Sequence, residues 1–341
     1  MLLNVLILIG GILILYLGAE GMVRGAKRLA IAIGVHPLIV GLTIVAFGTS
    51  MPELVVSVTA ALRGSPAIAL GNAIGSNVAN LGLILGVSAL ISPMRVEDRT
   101  VRLEVPVSIF AGVFLYLFAG NLEISSGEGF ILFFGFIGFF FIAVFPQVVK
   151  SFRVLPKELN LDLENPLSQE EINEARARQS WVSDVLMMAL GIAGLVLGAD
   201  FTVDSATAIA LDFGISEMVI GASIVALGTS LPELSISVVA ALRNEPDISV
   251  GNVIGSNLFN TLIVIGVPAV ITGYLPVEKD VLLYDFPVMI GLSILVLPLL
   301  SSDRKLDRSE GLGLVCVYIA YLSLIIIRPP IMLNPEAFWP Y

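Results

Sequence analysis

Apolar residues in this chain gather into long unbroken runs instead of alternating with polar ones. Runs near 2–19, 36–63, 67–92, 104–120 and 128–149 are followed by a second set near 181–201, 216–243, 247–273, 281–299 and 310–328. A helix needs roughly 20 mostly apolar residues to cross about 30 Å of hydrocarbon. The pattern therefore predicts an all-α integral membrane protein with ten transmembrane helices. The first run has no basic segment before it and no small-residue cleavage site leading into a soluble domain, so it is expected to be a permanent span. Residues 36–63 would measure about 42 Å as one straight helix, too long for a bilayer, so a break or strong tilt is expected there.

Composition supports this reading. Of 341 residues, 57% are apolar and only 13% are charged, where soluble domains carry about 25% charged residues. Such a chain cannot coat a water-facing surface, which excludes a soluble enzyme and a disordered tail. A net charge of −10 argues against a nucleic-acid partner. Cys316 and His36 are each the only residue of their type, too few His and Cys to build a zinc or copper site.

The basic residues set an orientation. Loops after the odd-numbered runs hold 15 of the 18 Lys and Arg, among them Arg24, Lys27, Arg28, Arg95, Arg99, Arg102, Lys150, Arg153, Lys157, Arg304, Lys305 and Arg308. The other side has only Arg63, Lys279 and Arg328. Basic loops stay in the cytoplasm, so both termini are expected outside, with the chain a multi-pass protein of the plasma (inner) membrane. The polar stretch 150–180, with a short surface helix expected around 168–179, reads as a cytoplasmic linker between halves 1–149 and 181–341.

The two halves repeat. Residues 41–87 and 221–267 align at a constant offset of 180 without a gap, with 27 of 47 positions identical. The likeness reaches outward to Gly18-Ala19-Glu20 and Gly198-Ala199-Asp200. Five helices is an odd number, so the halves must insert in opposite orientations. Inverted-topology repeats are common in secondary transporters, whose substrate sites lie near the midplane on broken helices.

Two motifs concentrate the chemistry of each repeat. GTSMPE at 48–53 and GTSLPE at 228–233 place Glu53 and Glu233 about mid-way along their runs. A carboxylate there costs roughly 2.5–3.5 kcal/mol, and no Lys or Arg flanks either one. A bound cation would supply the missing charge. Pro52 and Pro232 cannot donate to the carbonyls of Gly48 and Gly228. The break should leave oxygens such as those of Ala46, Phe47, Gly48, Ala226, Leu227 and Gly228 facing a cavity. GNAIGSNVAN at 71–80 and GNVIGSNLFN at 251–260 add Asn72, Ser76, Asn77, Asn80, Asn252, Ser256, Asn257 and Asn260. Ser76 and Asn80 share a helix face and could join Thr49, Ser50 and Glu53, as their counterparts could join Thr229, Ser230 and Glu233. Hard oxygen donors of this kind suit Ca²⁺ or Na⁺. One divalent ion, Na⁺ ions or protons could each balance the two acids. Mutually exclusive occupancy is the basis of exchange.

These paired motifs resemble the two alpha repeats of the cation/Ca²⁺ antiporter superfamily, the sodium/calcium exchangers, and the chain looks closest to prokaryotic members. The resemblance covers nearly the whole chain. It implies exchange of Ca²⁺ against Na⁺, with H⁺-coupled or K⁺-dependent exchange as variants, and no resident cofactor. It also implies Glu53 and Glu233 as central ligands, supported by Thr49, Ser50, Thr229, Ser230, Ser76, Ser256 and the carbonyls of Ala46 and Ala226. The first and sixth helices are expected to slide across a rigid core of the other eight. An archaeal member has Asp where Asn260 stands; here Asn80 and Asn260 are both neutral, which leaves the coupling ion open. Residues 150–180 are too few for the Ca²⁺-binding domains of animal exchangers. The expected partners are small inorganic cations and the lipid bilayer, with no obligate protein partner evident.

Plainer readings compete. Ser50-x-x-Glu53 and Ser230-x-x-Glu233 also fit capping boxes. The asparagines could simply bond across helices. Glu20 and Asp200 read first as interfacial residues and second as gating residues; His36, before Pro37, reads as interfacial. Cys316 and the Phe-rich stretch 133–141 read as lipid or packing surface. A passive channel would need an open pore, and an intramembrane enzyme would need a nucleophile and base beside the carboxylates.

Overall fold

A computed structural model describes residues 1–33, 35–64, 66–143, 181–213 and 226–327. The helices are α1 (Leu2–Ile33), α2 (Pro37–Thr49), α3 (Met51–Leu62), α4 (Ile68–Ile91), α5 (Thr100–Asn121), α6 (Ser126–Ala143), α7 (Trp181–Asp212), α8 (Leu231–Leu242), α9 (Pro246–Thr272), α10 (Val281–Ser301) and α11 (Arg308–Ile327). Among the described residues, seven helices are long and apolar enough to cross a membrane, or eight if α2 and α3 form one broken span. The shorter apolar helices α6 and α8 stand where the two remaining runs were expected. The linker 150–180 and its expected surface helix lie outside the described residues.

Two expectations change in detail. The first run continues as helix to Ile33 instead of stopping near 19. Its charged stretch stays helical because partners meet it: Glu20 pairs with Arg24 on the same helix and with Arg243 from the other half, and Lys27 pairs with Glu245. The sequence also gave no hint of two small antiparallel sheets. Strand β1 (Met94–Arg95) pairs with β4 (Lys305–Leu306), and β2 (Glu123–Ser125) pairs with β3 (Tyr274–Pro276).

Both sheets join one half to the other. The chain after α4 meets the chain after α10, and the chain after α5 meets the chain after α9. Helix packing repeats the exchange: α11 lies on the end of α4 and α6 on the end of α9. Each contact has its counterpart about 180 residues along, so the sequence repeat is also a repeat of contacts. Ion pairs gather the chain segments after α1, α4, α8 and α10 at one end of the molecule, through Lys27–Glu245, His36–Glu97, His36–Asp247 and Arg304–Asp98.

Helices α4 and α9 are innermost, with 72% and 83% of their apolar windows buried, against 22% for α1 and α11. The peripheral helices expose Phe110, Phe114, Phe130 and Phe134, side chains that lipid solvates without penalty. Helices α1 and α7 form a separate layer. Gly11 meets Gly198 and Thr202, Gly18 meets Gly191 and Leu195, and Gly25 meets Asp184 and Met188, so the two run antiparallel. Any Cβ on Gly18 would fall 2.8 Å from the Gly191 carbonyl and the Leu195 nitrogen. Small residues thus bring two backbones into direct contact, the usual basis of helix association in lipid.

Candidate cation site

Two helix starts deliver the carboxylates. Ser50, at φ −89° and ψ 6°, separates α2 from α3, and the axes of the two helices differ by 41°. Ser230 takes the same conformation before α8, at φ −90° and ψ 3°. Pro52 and Pro232 lie in the first turns of the new helices, where a backbone N–H has no intrahelical partner to lose. Glu53 and Glu233 also stand in these first turns, at the positive ends of the helix dipoles. Both are fully buried and close enough to feel each other's charge.

The freed carbonyls are fewer than expected. Ala46 O accepts the Ser50 N–H at 3.0 Å and the Thr49 hydroxyl at 3.2 Å, so the helix itself engages it in this conformation. In the second half the Ser230 N–H goes to Leu227 O at 3.1 Å, which leaves Ala226 out of that bond. The capping-box reading fails, because neither Ser50 nor Ser230 makes a side-chain cap. Ser50 instead donates across the halves to Glu233 Oε1 at 2.8 Å, and Ser256 reaches the same oxygen at 3.5 Å. Ser230 donates to Ser76 at 3.1 Å.

A frame of amides holds this centre in nearly two-fold fashion. Asn72 Nδ2 donates to Glu53 O at 3.1 Å and to Ser57 Oγ at 3.0 Å; its carbonyl accepts from Thr229 at 3.2 Å. Asn252 does the same with Glu233 O, Ser237 and Thr49, at 3.3, 3.2 and 3.2 Å. The expectation that these asparagines bond across helices holds for Asn77 and Asn257 as well, through Thr261 and Asn77 O. Asn72 and Asn252 also fix the helix backbone at each carboxylate. Asn80 and Asn260 open matching π-helical turns, Asn80–Ile84 and Asn260–Val264, a local widening frequent at functional sites. Asn80 donates to Asn257 at 2.9 Å.

Several buried polar atoms at this centre have no partner among the described residues: both Glu53 carboxylate oxygens, Glu233 Oε2, Asn80 Oδ1 and both polar side-chain atoms of Asn260. Leaving a buried polar group unmade costs about 1–3 kcal/mol, more for a charge. Orphaned oxygens from both halves are donors of the kind that hard cations take.

Comparison with known proteins agrees with that chemistry. The family described as sodium/calcium exchanger protein matches residues 3–145 and 183–327. The chain belongs to the sodium/calcium exchanger family. The family is one of cation/Ca²⁺ antiporters, so this is a multi-pass transporter fold. Inner membrane protein YrbG of Escherichia coli is 37% identical over 98% of this chain and 100% of its own length. Sodium/calcium exchanger MaX1 of Methanosarcina acetivorans is 33% identical over 94% of this chain and 98% of its own. The solved sodium-calcium exchanger NCX_Mj superposes with a TM-score of 0.77 at 32% identity, covering 94% of this chain and 98% of its own.

One cluster in this exchanger-family chain escaped the sequence reading, which took His36 as interfacial and sought cation ligands only in the repeats. His36, Glu97 and Asp247, from three separate segments, bring their donor atoms within 4.8 Å of one another. The imidazole is already employed. Its Nδ1 accepts from Leu38 N at 3.4 Å, capping the start of α2, and its Nε2 lies 2.8 Å from Glu97 Oε1. Burial opposes its charge, but Glu97, Asp247 and Glu104 outweigh burial and raise its pKa above the ordinary value.

Proposed function

We propose that this chain is a secondary active transporter that exchanges Ca²⁺ against Na⁺ by alternating access at a midplane pair, Glu53 and Glu233. The observation that carries the reading is the burial of these two acids, one from each half, with three of their four side-chain oxygens lacking a partner among the described residues. Two negative charges deep among apolar helices need compensation, and one Ca²⁺ neutralises both. Thr49, Ser50, Thr229, Ser230, Ser76 and Ser256 supply neutral oxygens around them. The carbonyls of Ala46 and Ala226 and the amides of Asn80 and Asn260 complete the set. Na⁺ competes for the same oxygens, so either ion must leave before the other is carried.

The halves 1–149 and 181–341 insert as inverted five-helix repeats, giving ten spans joined by the cytoplasmic linker 150–180. The excess of Lys and Arg in odd-numbered loops puts both termini outside. The likeness to YrbG supports placement in an inner membrane. A second reading, H⁺/Ca²⁺ exchange, is favoured by one feature: Asn260 offers a neutral amide where an acid would add a further Na⁺-binding charge.

Radioactive Ca²⁺ uptake into proteoliposomes separates these readings. The favoured one predicts uptake that requires an outward Na⁺ gradient. Uptake driven only by an outward proton gradient would transfer the coupling to H⁺. Uptake without any gradient would indicate a passive pathway and overturn the exchange reading.

A further inference from the structure

The repeat makes a prediction that the structure meets at one end only. Glu20 on α1 is 8% exposed and receives the Arg243 guanidinium, with Nε 3.0 Å from its Oε2 and a second, shorter contact through Nη2. Arg243 closes the C-terminus of α8, the helix that begins beside Glu233, and ten positions of helix between the two span about 15 Å. The offset of 180 makes Asp200 on α7 the counterpart of Glu20, and Arg63, which closes α3, the counterpart of Arg243. Neither Asp200 nor Arg63 has an ion pair among the described residues, and both are exposed.

Packing shows the same one-sidedness. Helix α1 lies along α8, whereas α7 has no comparable contact with α3. On α8, Ile236 is 0% and Val239 3% exposed; their counterparts Val56 and Thr59 are 37% exposed and partly exposed. A cavity of about 410 Å³ opens beside α3, with Arg63, Val56 and Thr59 in its wall. The α1–α7 pair, held together by backbone contact at glycines, therefore sits closed against one half and open against the other.

We propose that Glu20–Arg243 and Asp200–Arg63 are two ionic latches that close in alternation, the first in the conformation seen here and the second at the opposite end in the other. The proposal rests on the alternating-access reading and adds to it the groups that hold each end shut. The two latches differ in strength. The first is reinforced by Arg24 and by Lys27–Glu245, while Asp204 and Thr207 occupy the positions equivalent to Arg24 and Lys27. The conformation with the Arg243 end closed is thus the resting one.

Cysteine pairs test this on a Cys316→Ser background, in membranes, with oxidation read as loss of labelling by a maleimide-polyethylene glycol. Glu20→Cys with Arg243→Cys is expected to cross-link readily. Asp200→Cys with Arg63→Cys is expected to cross-link more slowly, faster when Ca²⁺ or Na⁺ allows cycling. Failure of the second pair under every ion condition, while the first cross-links, would overturn the proposal. This readout needs no assumption about the coupling ion, so it is independent of the uptake assay. Charge reversal is the second measure. Asp200→Arg should lower the Ca²⁺ uptake rate by up to about fivefold, the shift expected of a partly exposed pair. Adding Arg63→Asp should restore it. An unchanged rate in Asp200→Arg, or no rescue by Arg63→Asp, would count against a latch.

Discussion

Helices α3 and α8 carry nearly the same sequence and live in different surroundings. MPELVVSVTAAL and LPELSISVVAAL both begin at a Ser–x–Pro–Glu turn, and both end at an Arg. Yet α8 is sealed by α1 while α3 faces a cavity, and among the described residues Glu233 receives two serine hydroxyls while Glu53 receives none. Near-identical local sequence dictates the helix and its Pro break. Which copy is covered depends on where the α1–α7 layer sits. Two copies covered differently are what the proposed alternating access requires of any single conformation.

The strongest way to probe this comparison is at the acids. Glu53→Gln and Glu233→Gln should each lower Ca²⁺ uptake by about 100-fold or more, since either change leaves the partner charge poorly balanced in a buried site. Both variants should still insert and purify as folded protein. Normal uptake in either one would break the equivalence of the two copies.

A packing change should separate them next. Ile236→Ala should cost about 2 kcal/mol or more, because a fully buried side chain leaves a cavity whose lining loses dispersion contacts. Val56→Ala, at the equivalent and more exposed position, should cost well under about 1 kcal/mol. Melting temperatures in detergent would show the difference, and equal losses would mean that the two helices are equally covered.

Asn260→Asp should act more mildly. It places a charge among orphaned oxygens, and should shift the Na⁺ concentration that half-displaces Ca²⁺ by about tenfold. An unchanged value would put Asn260 outside the cation's reach.

The smallest effect is at His36. Its raised pKa means that the fold favours the charged imidazole. The stability it adds is complete below the unfolded value of about 6.5 and fades as pH rises through the folded value. His36→Gln should therefore lower the melting temperature at pH 5.5 more than at pH 8.5. The opposite order would show that the imidazole works mainly as the neutral cap of α2.

The sequence made the repeat, the broken helices and the buried acids legible, because each leaves a local mark: a constant offset, a Pro three residues after a Thr, a carboxylate in an apolar run. Partner choice leaves no such mark. Ser50 and Glu53 have capping-box spacing, but the hydroxyl bonds to Glu233, 183 residues away. The stretch 20–28 looked like a loop because it carries Glu20, Arg24, Lys27 and Arg28; the structure keeps it helical by supplying Arg243 and Glu245 from the other half. Strands of two or three residues are too short to show alternation, so the sheets that tie the halves together were invisible. The ligand role of the twelve predicted site residues is a proposal drawn from their oxygen chemistry, and ions are its test.

The most direct test of the central claim is equilibrium Ca²⁺ binding to the purified protein by titration calorimetry, in wild type and in Glu53→Gln, with and without Na⁺. A shared midplane site predicts Ca²⁺ binding that Na⁺ displaces competitively and that Glu53→Gln abolishes. Undiminished Ca²⁺ binding by the folded variant, or binding indifferent to Na⁺, would contradict it.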